Sequence, residues 1–555
     1  MNLEKFIWAY ALQNAIDFGK TDASKILPKL FQHGLDRKDI GKIMPEIQKV
    51  VAEVNKLSSD KKVIDFKNYE KFVKVHEHKD GGLPELEHTG KVVTRLPPEP
   101  SKYNHIGHAL IFIIQYLYAK KYNGKCILRI EDTNPEKSSK EFYDAMKEDL
   151  SWLGIKWDEE VIASNDLVKM YGLCEKLLNN GDAFVCSCSQ DKIKELREQM
   201  IACSCRSRDS KVNLAEWKMM LDKKFKDGER IVRLKGDMGS NNGVMRDPVI
   251  FRISYASHFL QKKKYCVWPT YDFENPVEDS LNGVSHVIRT NEFELRDELH
   301  KFIQAKLGLK SPIVREIGRY RIAGAETQGR VIREMIESGK MIGWDDPRLV
   351  TIRALRRRGF LPEMFFELAK VVGLSKSSGQ IDFAVLESIN RKLVDASAKR
   401  YFFIQNPIKI SVDGAPSLKC KAPLHPSGNL GFRALNTNED FYITKKDFDS
   451  LNKSKKGNVR FMHLLNASFS KGKFAFLSEE VDSKLKASFV HWLPASKEES
   501  IKTRIMMSNA EFIEGFLEAG ASKLKIGEIV QFERFGFVRL DKKSHKGMEF
   551  WFTCS

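Results

Sequence analysis

Two histidines three residues apart, His105 and His108, sit in "RLPPEPSKYNHIGHALIF" at the predicted start of an apolar helix. That spacing places them on one helical face, beside the unpaired N–H groups and positive dipole end that favour an anion. Taken alone, such a pair is more often an ordinary surface or first-turn feature. Here the strand before it, the proline-rich turn and Gly107, which lets backbone approach a ligand closely, favour a strand-loop-helix phosphate site. A second constellation is Cys186-x-Cys188 with Cys203-x-Cys205, flanking the predicted helix "QDKIKELREQM". Four thiolates in two close pairs suit a tetrahedral structural Zn²⁺, although this spacing also accommodates free buried thiols.

The elements around these residues follow from periodicity. Apolar residues recur every three or four positions in "EKFIWAYALQNAI" and "KIMPEIQKVVAEVNKL", so residues 1–88 read as a helical domain. "KVVTRL" and "GKCILRIED" read as strands, with a helix from His105 between them and another in "SKEFYDAMKEDLSWLG" after them. This βαβ pattern predicts an α/β fold: a Rossmann-like parallel sheet domain over 89–310, with ligands at the carboxyl ends of its strands. Residues 161–260 read as an insertion in it, 311–400 as a loop followed by a helical connective region, and 401–555 as β-barrels of short alternating strands.

Composition narrows the partners. Lysine and arginine outnumber aspartate and glutamate by 92 to 74, a formal charge of +18 that favours a polyanion or simply solubility. The longest apolar run, "ALIFIIQYLYA", is too short to span a bilayer, so no membrane association is expected. The N-terminus lacks the basic start and cleavage site of a signal peptide, and nine cysteines, only four of them in close pairs, suit a reducing compartment. A cytoplasmic protein is expected.

The chain resembles the class I aminoacyl-tRNA synthetases, whose HIGH signature stands as His105-Ile106-Gly107-His108. Within that class "PPEPSKYNHIGH", "ILRIEDTNPEKS", "VWPTYDF", "GVSHVIRTNEF", "GWDDPRL" and "GEIVQFERFGFVRLD" are similar to the archaeal and eukaryotic glutamyl and glutaminyl enzymes. The resemblance implies ATP-dependent activation of an amino acid and transfer to the 3′ end of tRNA, with Mg²⁺ accompanying the pyrophosphate. It assigns Pro98, His105, Gly107 and His108 to ATP, Arg95, Tyr271 and Arg289 to the substrate's side-chain carboxylate, and Glu131 to its ammonium group. Arginine suits a carboxylate, and the glutaminyl branch characteristically lacks arginine at position 289, so L-glutamate and tRNA(Glu) are the expected substrates; Arg289 paired structurally with Glu292 or Asp297 is the competing reading. The barrels would bind the anticodon and the insertion the acceptor end. The helical N-terminal domain would contact tRNA or dock a partner protein.

One departure stands out. The lysine-bearing KMSKS-type loop aligns with Thr327-Gln328-Gly329-Arg330-Val331, where both lysine positions are vacant, and no lysine occurs from Ser311 to Gly339. Arg330, with Arg333, is the expected substitute on the phosphates, while Gly324 and Gly329 would keep the loop mobile. Lys102 stands where the family usually has glycine, and would either supply part of the missing charge or obstruct the pocket. A catalytically impaired tRNA-binding paralogue and a glutaminyl enzyme are the alternatives. The basic run Arg348, Arg353 and Arg356 to Arg358 would contact the tRNA backbone.

Overall fold

A computed structural model describes the chain except residues 1, 2, 19, 20, 31, 32, 34, 37, 38, 70, 71, 73–82, 88 and 89. It forms two compact units, Met1–Gly82 and Leu83–Ser555. The first contains helices α1 (Glu4–Phe18), α2 (Ala23–Leu30), α3 (Ile40–Lys56) and α4 (Ser59–Tyr69), packed around Ile7, Leu12, Ile26, Leu30, Ile47 and Val54. The expected boundary at 88 moves to 82. Leu86 is buried in the core of the second unit, its amide donating to the Tyr122 hydroxyl, because this turn-rich stretch still carries apolar anchors.

The second unit opens with β1 (Val93–Leu96), helix α5 (Ile106–Lys121), β2 (Lys125–Ile130), α6 (Lys140–Trp152) and β3 (Glu159–Ile162). The three strands pair in parallel, and α5, apolar on most faces, is buried along nearly its whole length. A helix buried all round belongs at the centre of a core.

The inserted region contains α7 (Leu167–Asn179), β4 (Ala183–Cys186), α8 (Gln190–Glu198), α9 (Ser210–Leu221), β5 (Ile231–Leu234), β6 (Val249–Ile253) and β7 (Val267–Pro269). Strands β4 to β7 form one antiparallel sheet in chain order. The expected end of the insertion at 260 is therefore too early: "VWP" completes this sheet by pairing with β6 rather than rejoining the parallel one. Next come α10 (Tyr271–Leu281), β8 (His286–Thr290), α11 (Arg296–Leu307) and β9 (Ile313–Ile317). Strand β8 pairs in parallel with β9, and the Ser285 amide donates to the Val93 carbonyl at 3.0 Å, which joins this pair to β1. The parallel layer thus includes β9, which lies beyond the expected boundary at 310.

Strand β10 (Tyr320–Ile322) leads into the loop and α12 (Gly329–Glu337), followed by α13 (Ile352–Arg358), α14 (Pro362–Val372), β11 (Gly379–Ile381) and α15 (Phe383–Asp395). The remainder is built mainly of two seven-stranded sheets, with a two-stranded hairpin of Lys419–Pro423 and Phe432–Asn436 and a helix, Lys445–Ser454. The terminal strands of one are Arg400–Tyr401 and Phe403–Gln405; those of the other are Ser488–Val490 and Trp492–Pro494. In each case the two ends are separated by one residue of chain, so each sheet curls back on itself and leaves little unpaired edge.

Within the basic run, Arg357 and Arg358 are turned inward. Arg357 pairs with Asp541 and Asp345 and lies 3.9 Å over the Trp551 ring, while buried Arg358 donates to the carbonyls of Phe552 and Thr553. Arg353 and Arg356 share Glu148, and Arg348 is held by Asp346. Arg357 and Arg358 thus tie α13 to the last barrel, while Arg348, Arg353 and Arg356 keep part of their side chains at the surface.

Candidate active site

A cavity of about 590 Å³ opens at the carboxyl ends of β1, β2, β8 and β9, lined there by Pro97, Pro98, Glu131, Thr290 and Gly318. It also contains Arg95, His105, Gly107, His108, Tyr271 and Arg289, so the expected substrate residues other than Arg330 line one space.

The histidine helix departs from the simple anion-site expectation. Its first N–H groups are already used: Ile106 donates to Val350 O at 3.0 Å, Gly107 to His105 Nδ1 at 3.0 Å and His108 to His105 O at 2.9 Å. His105 is thus the N-cap, and its own amide donates to His108 Nδ1 at 3.2 Å. The rings stack with centroids 3.9 Å apart. Burial, then the positive charges of Lys102 and Arg319, push His105 down to about 3, and burial beside His105 holds His108 well below the usual imidazole range. Both rings are therefore neutral near pH 7. With each Nδ1 accepting from backbone, each proton resides on Nε2, which makes both rings donors to a phosphate oxygen. Gly107 serves this cap: a Cβ there would come 2.9 Å from His105 Cε1. Its smallness accommodates the histidine ring.

At the other end lies a buried charge network. Arg95 Nε and Arg129 Nη1 both donate to Asp279 Oδ1, at 3.0 and 2.6 Å, while Arg129 Nη2 donates to Glu131 Oε1 at 2.8 Å. Asn275 Nδ2 donates to the same Glu131 oxygen at 2.7 Å. One carboxylate, Asp279, thus serves two guanidiniums, and Glu131 completes the pairing of Arg129. Burial alone would weaken the charge on Arg129, but Asp279 and Glu131 hold its pKa above the ordinary value. Arg289 is ion-paired with Asp297, as one reading of the sequence allowed, and its Nη1 lies 3.4 Å from His300 Nδ1. Its buried Nε has no hydrogen-bond partner among the described residues. Tyr271 is pushed up by burial and by Glu131, and the nearby charges of Arg289 and Arg95 oppose this shift. Arg129, Asn275 and Asp279 were not singled out from sequence. The available signal was an arginine inside the apolar strand "CILRI", which must find a carboxylate if it is buried.

Arg330 is not brought to the cavity. Helix α12 begins at Gly329, which turns residue 330 to solvent; its side chain is 89% exposed and pairs with Glu334 one turn on, at 2.9 Å. Arg333 instead donates to Ser101 O at 3.4 Å. The loop before the helix is folded back by Glu326 Oε1, which accepts from the amides of Thr327 and Gln328. Gly324 takes φ +73°, but Gly329 is the first residue of a helix rather than a hinge.

In the insertion, the sulfurs of Cys186, Cys188, Cys203 and Cys205 all lie within 4.8 Å of one another, with Cys186–Cys203 at 3.9 Å and Cys188–Cys205 at 4.0 Å. Tetrahedral zinc with bonds of about 2.3 Å requires S···S separations of roughly 3.8 Å, so the donor set fits. Buried Arg233 places Nη1 3.4 Å from Cys203 Sγ, a counter-charge for a thiolate cluster.

A family model described as the catalytic domain of class I tRNA synthetases (E and Q) matches residues 91–396, and two anticodon-binding domain models of the same group match 398–489 and 489–541. The chain is 40% identical to a glutamate–tRNA ligase of Pyrococcus furiosus over 98% of both chains. It is 38% identical to one of Nitrosopumilus maritimus over 96% of this chain and 97% of that one. With one of Methanocaldococcus jannaschii, identity is 36% over 100% of this chain and 99% of the relative. With this architecture, cavity and full-length similarity, the chain belongs to the class I tRNA synthetases of the E and Q group.

Proposed function

We infer that the protein ligates L-glutamate to tRNA(Glu), the activity named for its relatives. The carrying observation is that one cavity joins the arginine network at one end to two neutral, Nε2-protonated histidines at the other. Arg95 and Arg289, with Tyr271, receive the side-chain carboxylate; a neutral amide would leave their charge uncompensated. Glu131, held by Arg129 and Asn275, receives the ammonium group. ATP enters as its magnesium complex between Pro98, Gly107 and the two histidines. The glutamate α-carboxylate oxygen attacks the α-phosphorus and pyrophosphate leaves; a terminal ribose hydroxyl of tRNA then attacks the mixed anhydride and AMP leaves. Charge grows on phosphate oxygens, so positioned donors supply the acceleration and no enzyme nucleophile is required.

The four cysteines would hold a structural zinc that fixes the insertion against the acceptor end, and metal analysis of purified protein should find about one zinc per chain. The barrels would read the anticodon. No helix among the described residues is long and apolar enough to cross a membrane, and a cytoplasmic location, alongside its tRNA, is part of this reading. ATP–pyrophosphate exchange, measured with glutamate and with glutamine in the presence and absence of tRNA, tests the assignment. Exchange and charging with glutamate are expected; a glutamine preference, or tight tRNA binding without either reaction, overturns it.

A further inference from the structure

The loop that lacks its lysines touches a lysine contributed from elsewhere. Lys102, between β1 and α5, lines the cavity together with Glu99, His105, Glu292 and Arg319. Its aliphatic stem lies along Gly329: a Cβ at that glycine would stand 3.0 Å from Lys102 Cδ and 3.3 Å from Lys102 Cβ. Gly329 has no positive φ, so the helix backbone would accept another residue there. What its smallness provides is room for the lysine.

The charges around Lys102 are otherwise committed. Arg319 pairs with Glu292 and Arg330 with Glu334, whereas the Lys102 ammonium has no hydrogen bond or ion pair among the described residues. Burial makes the ammonium easier to deprotonate; Glu99 and Glu292 oppose that effect and Arg319 adds to it. A half-buried cation without a partner, in the wall that also holds His105, is placed for an anionic ligand.

We propose that Lys102 is the lysine that clamps the leaving phosphates of ATP in this protein, with Gly329 as the notch that seats it. The cation and the small residue have exchanged sides: the start of α12 carries the notch and the β1–α5 loop carries the charge. This proposal rests on the adenylation reading above.

Lys102→Met keeps a stem on Gly329 and removes the charge, which separates electrostatics from packing. Exchange with glutamate should fall by roughly 10²-fold, the effect typical of losing one positioned transition-state donor. The KM for glutamate and the affinity for AMP should remain unchanged, while the affinity for ATP falls. Gly329→Lys alone should also lower exchange, because its side chain displaces the Lys102 stem. The double variant Lys102→Gly with Gly329→Lys should recover at least part of the rate. Lys102→Met within twofold of wild type in exchange and ATP affinity, equal losses for ATP and AMP, or a gain from Gly329→Lys alone would overturn the proposal. If the unaltered protein shows no exchange with glutamate, the adenylation reading fails, and the ATP-to-AMP affinity ratio of Lys102→Met still decides whether Lys102 meets the outer phosphates.

Discussion

The two ends of the cavity are built on opposite plans. At the amino-acid end, Arg95, Arg129, Glu131 and Asp279 are all buried, and each is fixed by at least one charged partner at 3.0 Å or less. At the nucleotide end, the cations lining the cavity, Lys102 and Arg319, sit on loops, with an exposed partner or none, and Arg330 and Arg333 on the short helix α12 lie outside it. Recognition of a small carboxylate tolerates little positional error, and a buried network holds guanidiniums in place because breaking it would strand a charge. Phosphates are larger, mobile and multiply charged, so their contacts can be contributed by elements that move. The proposed exchange between Lys102 and Gly329 relies on that tolerance.

The largest effect should come from the centre of the rigid end. Asp279→Asn removes the negative charge shared by Arg95 and Arg129 and should cost about 3 kcal/mol of stability, with a loss of glutamate affinity; chemical denaturation and glutamate titration measure both. Should glutamate binding survive intact, the network would be a structural feature only. Gly107→Ala tests the less rigid end. Its methyl group would displace the His105 ring, and kcat should fall roughly tenfold as one general donor loses alignment, with the KM for glutamate unchanged in steady-state assays.

The histidine cap also predicts a pH response. His105 has its ordinary value of 6.5 when unfolded and about 3 when folded, so the folded state binds fewer protons between them. Its contribution is complete above pH 6.5 and diminishes as pH falls through 6.5 towards 3. Buried acids such as Asp149 and Glu278, both pushed up to about 7, act with the opposite sign but remain in every variant. Replacing His105 by Asn retains an acceptor for the Gly107 amide and removes the titration. Denaturation at pH 6.5 and 5 should show wild type losing on the order of 1 kcal/mol more than this variant; equal losses would mean that the folded imidazole protonates normally. The smallest effect is expected from Arg330→Ala, which should leave exchange within about twofold because its Glu334 pair is exposed. A larger loss would show that the loop swings Arg330 inward during the reaction.

Much of this was legible from local pattern. Strand β1, the proline turn and α5 follow from hydrophobic periodicity and breakers, and they place His105 and His108 at the head of the site. Arg95, Glu131, Tyr271 and Arg289 were found through the motifs around them. The boundaries at 88, 260 and 310 were not, because Leu86, β7 and β9 owe their allegiance to partners far away in the chain. Arg330 was placed by its alignment with a motif, which fixes neither the start of a helix nor the direction of a side chain.

By itself the sequence determined the order of the elements, the chemistry of the residues at strand ends and the absence of lysine from one loop. These depend on side-chain type and near-neighbour spacing, which the linear chain contains. Only the tertiary structure decided that Asp279 serves two arginines, that Gly107 makes room for the ring of His105, and that Lys102 rests on Gly329. Each is a contact between side chain and open space, or between residues distant in sequence, and its existence depends on how closely the packed backbones approach.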